Sequence, residues 1–270
     1  MKRDRRSINQ RQAEMLTLIR KRQELMVDEL SELFHVSPMT VRRDLHFLEK
    51  RGKISRFHGG ASVHAGEMPS SDKDAVPFCR QLIARRAAEL VESGATILIN
   101  GSGTAIALLD YLDGKPVRVF TNNGMVIGHS YPSNVDVRLS GGNVRSCQYI
   151  LTGDLTMRSL IDIRADVAFL GCGGISPDGE IMCGIPAELG INETMIAHAD
   201  SYYILADHTK IGKSSLYASF QLEKKGCIIT DERADPKVLD RLRAAGMQVI
   251  QVSAAEMRGE SPEEDMPDAE

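Results

Sequence analysis

The chain has 270 residues, 42% of them hydrophobic and 26% charged, with a formal net charge of −4. This length fits one large domain with a small one, or two domains, in an ordinary globular protein with a substantial core. It holds no apolar run near the roughly 20 residues a membrane helix needs, and the charged start "MKRDRRSINQ" is not followed by the apolar core of a signal peptide.

The five cysteines, Cys79, Cys147, Cys172, Cys183 and Cys227, are odd in number and form no C-x-x-C pair. That pattern points to reduced thiols in a cytoplasmic protein rather than a disulfide frame or a zinc site. The seven histidines show no clustered ligand spacing either, so neither a metal nor a cofactor is expected. Charge is unevenly spread. Residues 1–60 hold 14 Lys and Arg against 8 Asp and Glu, whereas the rest of the chain holds 19 against 29. A basic head on an acidic body suggests an anionic partner for the head.

Three short helical patterns open the chain. Residues 9–22 carry Met15, Leu16 and Ile19 on one face, and "LMV" at 25–27 reads as a short extended link. Leu30, Leu33 and Phe34 mark a second helix over 28–35. In "VSPMTVRRDL" (36–45) Ser37 suits an N-cap and Pro38 the first helical position. Val41, Leu45 and Leu48 form the buried stripe of this third helix, which leaves Thr40, Arg42, Arg43 and His46 to point elsewhere. Gly52 stands where it would stop. Two tightly joined helices, the second capped and basic on its free face, make a helix-turn-helix whose second helix enters the major groove. "KISRFHGGASV" then reads as a basic hairpin turning at Gly59-Gly60, a wing from which Lys53, Arg56 and His58 reach the sugar-phosphate backbone. The competing reading is a small three-helix adaptor with a solvated basic face.

"VSPMTVRRDLHFLEKRGKISRFHGGA" resembles the signature of the DeoR family of bacterial transcription regulators. Ser37, Thr40, Arg42, Arg43, Asp44, Arg56, His58, Gly59 and Gly60 carry the match, and Gln23 stands where many relatives have glycine. The resemblance implies a winged helix-turn-helix that binds operator DNA, most often as a repressor and as a homo-oligomer. The candidate DNA contacts are Ser37, Met39, Thr40, Arg42, Arg43, His46, Lys53, Arg56 and His58.

The polar stretch from residue 64 to 76 reads as a linker between an N-terminal domain (1–63) and a larger one (77–253), and residues 254–270 as an acidic disordered tail. In the larger domain seven apolar, β-branched runs at 95–99, 117–121, 135–140, 166–171, 202–207, 226–230 and 248–252 alternate with helical patterns at 78–92, 104–112, 188–199 and 235–245. The expected fold is α/β with a mostly parallel, buried sheet. Ligands of such sheets bind beyond the carboxyl ends of strands. Polar or glycine-rich segments sit at those ends: "NGSGTA" (100–105), "TNN" (121–123), "SGG" (140–142), "GCGGI" (171–175) and "ADHTKIGKSS" (206–215). The first suits a phosphate at a helix N-terminus. It is neither a Walker A motif nor a dinucleotide fingerprint. Competing structural readings are helix caps for Asn122 and Asn123, a tight turn for Gly141-Gly142, and a cap or a Lys210 pair for Asp207; His208 reads as a surface histidine.

"INGSGTA", "TNN", "LSGG" and "LADHTKIGKSS" are similar to the DeoR-family sensor domain. That resemblance implies a fold related to ribose-5-phosphate isomerase and a phosphorylated sugar as effector. It carries over Gly101, Ser102, Gly103, Thr104, Asn122, Asn123, Gly141, Gly142, Asp207 and Lys210 as effector contacts. Departures are Ala105 for a second threonine, and Leu189 and Asn192 in a stretch usually reading E-A-x-x-K-x-x-M. An alternative is a sugar-phosphate isomerase with Asp207 or Glu188 as base and Lys210 as electrostatic partner; the basic head has no use in such an enzyme.

Overall fold

The computed structural model describes residues 5–22, 24–50, 54–57, 59–62, 72–129, 131–145, 149–222 and 226–255. Gly52, Lys53, His58, Cys147, Gln23, most of the expected linker and residues 256–270 lie outside them, as does the side chain of Arg56.

The N-terminal module runs α1 (Arg5–Arg22), β1 (Glu24–Met26), α2 (Val27–Phe34), α3 (Pro38–Lys50), β2 (Ser55–Phe57) and β3 (Gly60–Ser62). β3 lies between β1 and β2 and is antiparallel to both. Gly59, at φ +93, makes the turn of the wing hairpin in the left-handed conformation that glycine adopts without strain. Met15, Ile19, Leu30, Val41, Leu45 and Ile54 fill a core of their own. Two details differ from expectation. Val27 starts α2 instead of extending β1, because the Glu29 carboxylate accepts the Met26 N–H at 3.0 Å and closes the first turn there. Leu33 is 49% exposed, since Val27, Leu30 and Phe34 set the inward face of this two-turn helix and Leu33 lies beside it.

The larger unit begins with α4 (Asp72–Glu89), which starts six residues before the expected helix and takes in the end of the expected linker. Pro77 removes one N–H from its ladder. Burial of Ala75, Phe78, Cys79, Leu82 and Ile83 offsets that loss. The seven expected strand runs form one parallel sheet: β4 (Thr96–Ile99), β5 (Val117–Thr121), β6 (Val135–Leu139), β9 (Ala165–Gly171), β12 (Ala199–Leu205), β14 (Gly226–Asp231) and β15 (Gln248–Val252). Their order is β15-β14-β12-β9-β4-β5-β6. The chain therefore winds outward from β4 in one direction and from β9 in the other, and the switch point lies between these two strands.

Helices cover both faces. α4 and α5 (Gly103–Ile106) pack on one, with Ile97, Val119, Val167 and Phe169 beneath. α6 (Asp154–Ile161), α7 (Leu189–Ala197) and α8 (Pro236–Ala244) pack on the other, with Leu98, Ala168, Leu170 and Ile204 beneath. The expected helix over 104–112 is a single α turn followed by a 3-10 turn at Ala107–Tyr111. Two short antiparallel sheets were not expected: β7 (Asn143–Arg145) with β8 (Ile150–Thr152), and β10 (Gly174–Ile175), β11 (Glu180–Cys183) and β13 (Tyr217–Gln221).

Candidate nucleic-acid interface and effector site

α2 ends at His35, which takes the left-handed conformation at φ 48, and only His35, Val36 and Ser37 separate α2 from α3. The Ser31 hydroxyl donates to Val36 O at 2.5 Å and fixes this turn. Ser37 Oγ accepts from Thr40 N at 3.2 Å, an N-cap that sets where α3 begins. Val41, Leu45 and Leu48 are 0%, 0% and 5% exposed. The opposite face carries Met39, Arg43 and Phe47 in the open, with Thr40, Arg42 and His46 half-buried beside them. Asp44 does not join that face: its buried carboxylate accepts from Arg11 Nε at 2.6 Å and Gln12 Nε2 at 2.8 Å and locks α3 onto α1. The result is a helix with one face spent on the module and a partly exposed face bearing two guanidinium groups. Of the wing candidates, Arg56 falls on β2, while Lys53 and His58 lie outside the described residues.

At the carboxyl edge of the sheet, the loop after β4 is built around Asn100. Its Oδ1 accepts from Ser102 N at 3.2 Å and Gly171 N at 3.0 Å, and its Nδ2 donates to Gly171 O and to Asn192 Oδ1. This buried amide holds the ends of β4 and β9 together at the switch point and ties them to α7. Ser102 Oγ caps α5, accepting from Thr104 N and Ala105 N. Gly171 must be glycine here, since a Cβ would stand 2.0 Å from Ser102 Oγ. Gly101 is similarly confined: a Cβ would meet Ile150 at 2.7 Å and Glu188 Oε1 at 2.9 Å. Gly103 is exposed, with open space above it.

Asn122 and Asn123 are fully buried. Asn123 caps the following 3-10 turn through Met125 N and donates to Ser102 O at 3.1 Å, which joins the β5 loop to the β4 loop. Asn122 donates to Leu151 O on β8, and its own Oδ1 is buried with no hydrogen-bond partner among the described residues. Gly142, at φ +118, abuts Thr152 of β8, and Gly141 O accepts from Thr156 Oγ1. The β7–β8 hairpin thus links the loops after β5 and β6.

Asp207 closes the site from β12. It caps the turn at His208–Lys210 through Thr209 and accepts from Arg80 Nε of α4 at 2.8 Å, so its ion-pair partner is Arg80 and not Lys210. Burial opposes its charge, but hydrogen bonds from Thr209 and Arg80 and the charges of Arg80 and Lys210 outweigh it and hold the carboxyl below its ordinary value. Lys210 lies close enough to Asp207 and Cys172 to act on both electrostatically. Its ammonium makes no hydrogen bond or ion pair within the described residues, and it remains a half-buried cation at the mouth of the sheet. His208 is not a surface residue: its side chain is 8% exposed and bonds Asp231. Asn100, Gly171, Arg80 and Asn192 were missed as structural members of this edge. Asn100 and Gly171 lay within the polar and glycine-rich strand-end segments 100–105 and 171–175, Asn192 showed only as a departure from the family pattern, and Arg80 gave no signal.

Residues 11–65 match the DeoR-like helix-turn-helix domain and residues 79–232 match the DeoR C terminal sensor domain. The chain belongs to the DeoR family of transcriptional regulators. It is 30% identical over 250 residues to the HTH-type transcriptional repressor CsqR of Escherichia coli (strain K12), covering 90% of this chain and 95% of that one. It is 33% identical over 238 residues to the lactose phosphotransferase system repressor of Streptococcus mutans, covering 85% and 94%. A ribose 5-phosphate isomerase A structure from Methanocaldococcus jannaschii aligns at 14% identity and a TM-score of 0.36, over 52% of this chain and 55% of that one. The family consists of DNA-binding regulators, and the isomerase reading is set aside on that ground.

Proposed function

We propose that this regulator is a cytoplasmic repressor of a carbohydrate-use operon, and that a phosphorylated sugar bound at the sheet edge changes its affinity for operator DNA. The repressor role and the carbohydrate link are supported by the names of its relatives. The observation that carries the DNA half is the division of α3: Val41, Leu45 and Leu48 inside, Arg42 and Arg43 outside. Ser37, Met39, Thr40, Arg42, Arg43 and His46 address the major groove, and Lys53, Arg56 and His58 the flanking backbone. For the effector half, the loops at the switch point supply glycines that admit close approach, hydroxyls, and the cation of Lys210. Gly101, Ser102, Gly103, Thr104, Asn122, Asn123, Gly141, Gly142, Asp207 and Lys210 compose this site, with Asp207 holding the loop rather than meeting an anion directly. The protein acts as a homo-oligomer, which places two recognition helices on a two-fold operator.

Arg42→Ala and Arg43→Ala test the DNA half. Each is expected to weaken operator binding while leaving thermal stability near wild type. A base-reading arginine costs about 1–3 kcal/mol at one operator position, and a phosphate-holding one weakens binding to all sequences and flattens the salt dependence. Binding unchanged in both variants removes α3 as the recognition helix.

A further inference from the structure

Cys79 of α4, His208 in the turn after β12 and Asp231 at the end of β14 come together in the fold. One donor atom from each lies within 4.8 Å of the other two. All are withdrawn from water: Cys79 and Asp231 are 0% exposed, and the His208 side chain 8%. Asp231 organises the cluster. It accepts from His208 N at 2.7 Å, His208 Nδ1 at 2.9 Å and Arg233 N at 3.1 Å, and it hydrogen-bonds the Cys79 thiol. The other ring nitrogen of His208, Nε2, is buried with no hydrogen-bond partner among the described residues. Nδ1 is therefore the nitrogen that faces the carboxylate and thiol, and the buried Nε2 is free to carry the ring proton, which leaves the Nδ1 lone pair for coordination.

We propose that Cys79, His208 and Asp231 form a binding site for a divalent cation of the zinc(II) class. Sulfur, imidazole nitrogen and carboxylate oxygen are the donors zinc takes, and a thiolate excludes magnesium and calcium. In a tetrahedral zinc site adjacent donor atoms stand about 3.3–3.8 Å apart; His208 Nδ1 and Asp231 Oδ1, 2.9 Å apart, open slightly and the Cys79 sulfur, within 4.8 Å of both residues' donors, completes the first three positions. A water takes the fourth. On binding, the Cys79 thiol gives its proton to solvent, the ring proton of His208 passes from Nδ1 to Nε2 by exchange with solvent, and the thiolate and carboxylate balance the charge of the dication. Burial and the Asp231 carboxylate keep Cys79 a neutral thiol when no ion is bound. The ion ties α4, the first helix after the wing in the described chain, to the turn that carries Asp207 and Lys210. This site stands independently of the sugar-phosphate reading.

The test uses the full chain, stripped with a chelator and titrated with zinc(II), and with cobalt(II) as a spectroscopic probe. The expected result is one ion per chain and a thiolate-to-cobalt charge-transfer absorption. Both are lost in Cys79→Ser and in His208→Gln, and both persist in Cys183→Ser and Cys227→Ser. Circular dichroism verifies the fold of each variant. Should Cys79→Ser not fold, Cys79→Ala and His208→Gln carry the same test. The absence of stoichiometric binding by the wild-type chain, or binding that survives in both the Cys79 and His208 variants, overturns the proposal. The three residues are then a structural hydrogen-bond cluster only.

Discussion

Arg80 and Lys210 divide the work of positive charge at the sheet edge. Arg80 is committed to Asp207, a carboxylate 2% exposed, and fixes the turn that follows β12. Arg80→Ala deprives a buried carboxylate of its strongest partner and is expected to lower stability by about 1.5–3 kcal/mol, read by urea denaturation. Adding Asp207→Asn removes the buried charge and recovers part of that loss; an Arg80→Ala chain as stable as wild type contradicts the role given to the pair. Lys210 makes no hydrogen bond or ion pair among the described residues. Lys210→Ala is expected to leave operator binding intact and to abolish its response to effector, and a variant that responds normally removes Lys210 from the site. At this scale the sequence announced the loops but not their partners. Arg80 and Asp207 are 127 residues apart and Asn100 and Asn192 are 92 apart, and no spacing rule joins them. Asn192 drew notice only as a departure from the family pattern, and it is the residue that meets Asn100. His208 showed the same limit, since a lone histidine in a polar segment gives no sign of the Asp231 carboxylate that buries it.

Elements were more legible than residues. The seven strands of the parallel sheet showed as near-continuous apolar runs because both of their faces are covered, and burial on two sides leaves no polar alternation to confuse the pattern. The antiparallel strands β7, β8, β10, β11 and β13 are two to five residues long. Two strand residues sample no period, and the exposure along β13 is mixed, so they passed as loop. α6 escaped for a similar reason: only Thr156 and Leu160 of its eight residues are buried. α3 is the reverse case, in which cap, stripe and free face agree. Its stripe makes a quantitative prediction. Leu45→Ala leaves a cavity in the N-terminal core and is expected to cost about 2–5 kcal/mol. Circular dichroism through a urea titration checks it, with a loss near zero contradicting the packing of α3. Operator binding then falls through loss of the module, whereas Arg42→Ala weakens binding with the module intact.

Across the whole molecule, the exposed face of α3 borders the sensor unit. Met39 and Arg43 of α3 line a cleft of about 400 Å³ with Ile127, Tyr131 and Leu139 of the sensor unit. An effector alters operator affinity only if it binds the DNA-competent and DNA-incompetent states unequally. α4 spans the two regions: its packing reaches β2 of the wing, and Arg80 reaches Asp207 of the effector loops. The central claim is that sequence-selective DNA binding by α3 responds to a phosphorylated sugar at the sheet edge. The most direct test is a fluorescence-anisotropy titration of the full chain against an operator selected from duplexes upstream of its own gene, at several salt concentrations, with and without a panel of sugar phosphates. The predicted result is salt-sensitive, selective binding that one phosphosugar shifts. Selective binding that no sugar phosphate moves would contradict the sensor half, and binding with no sequence preference at any salt would contradict the whole.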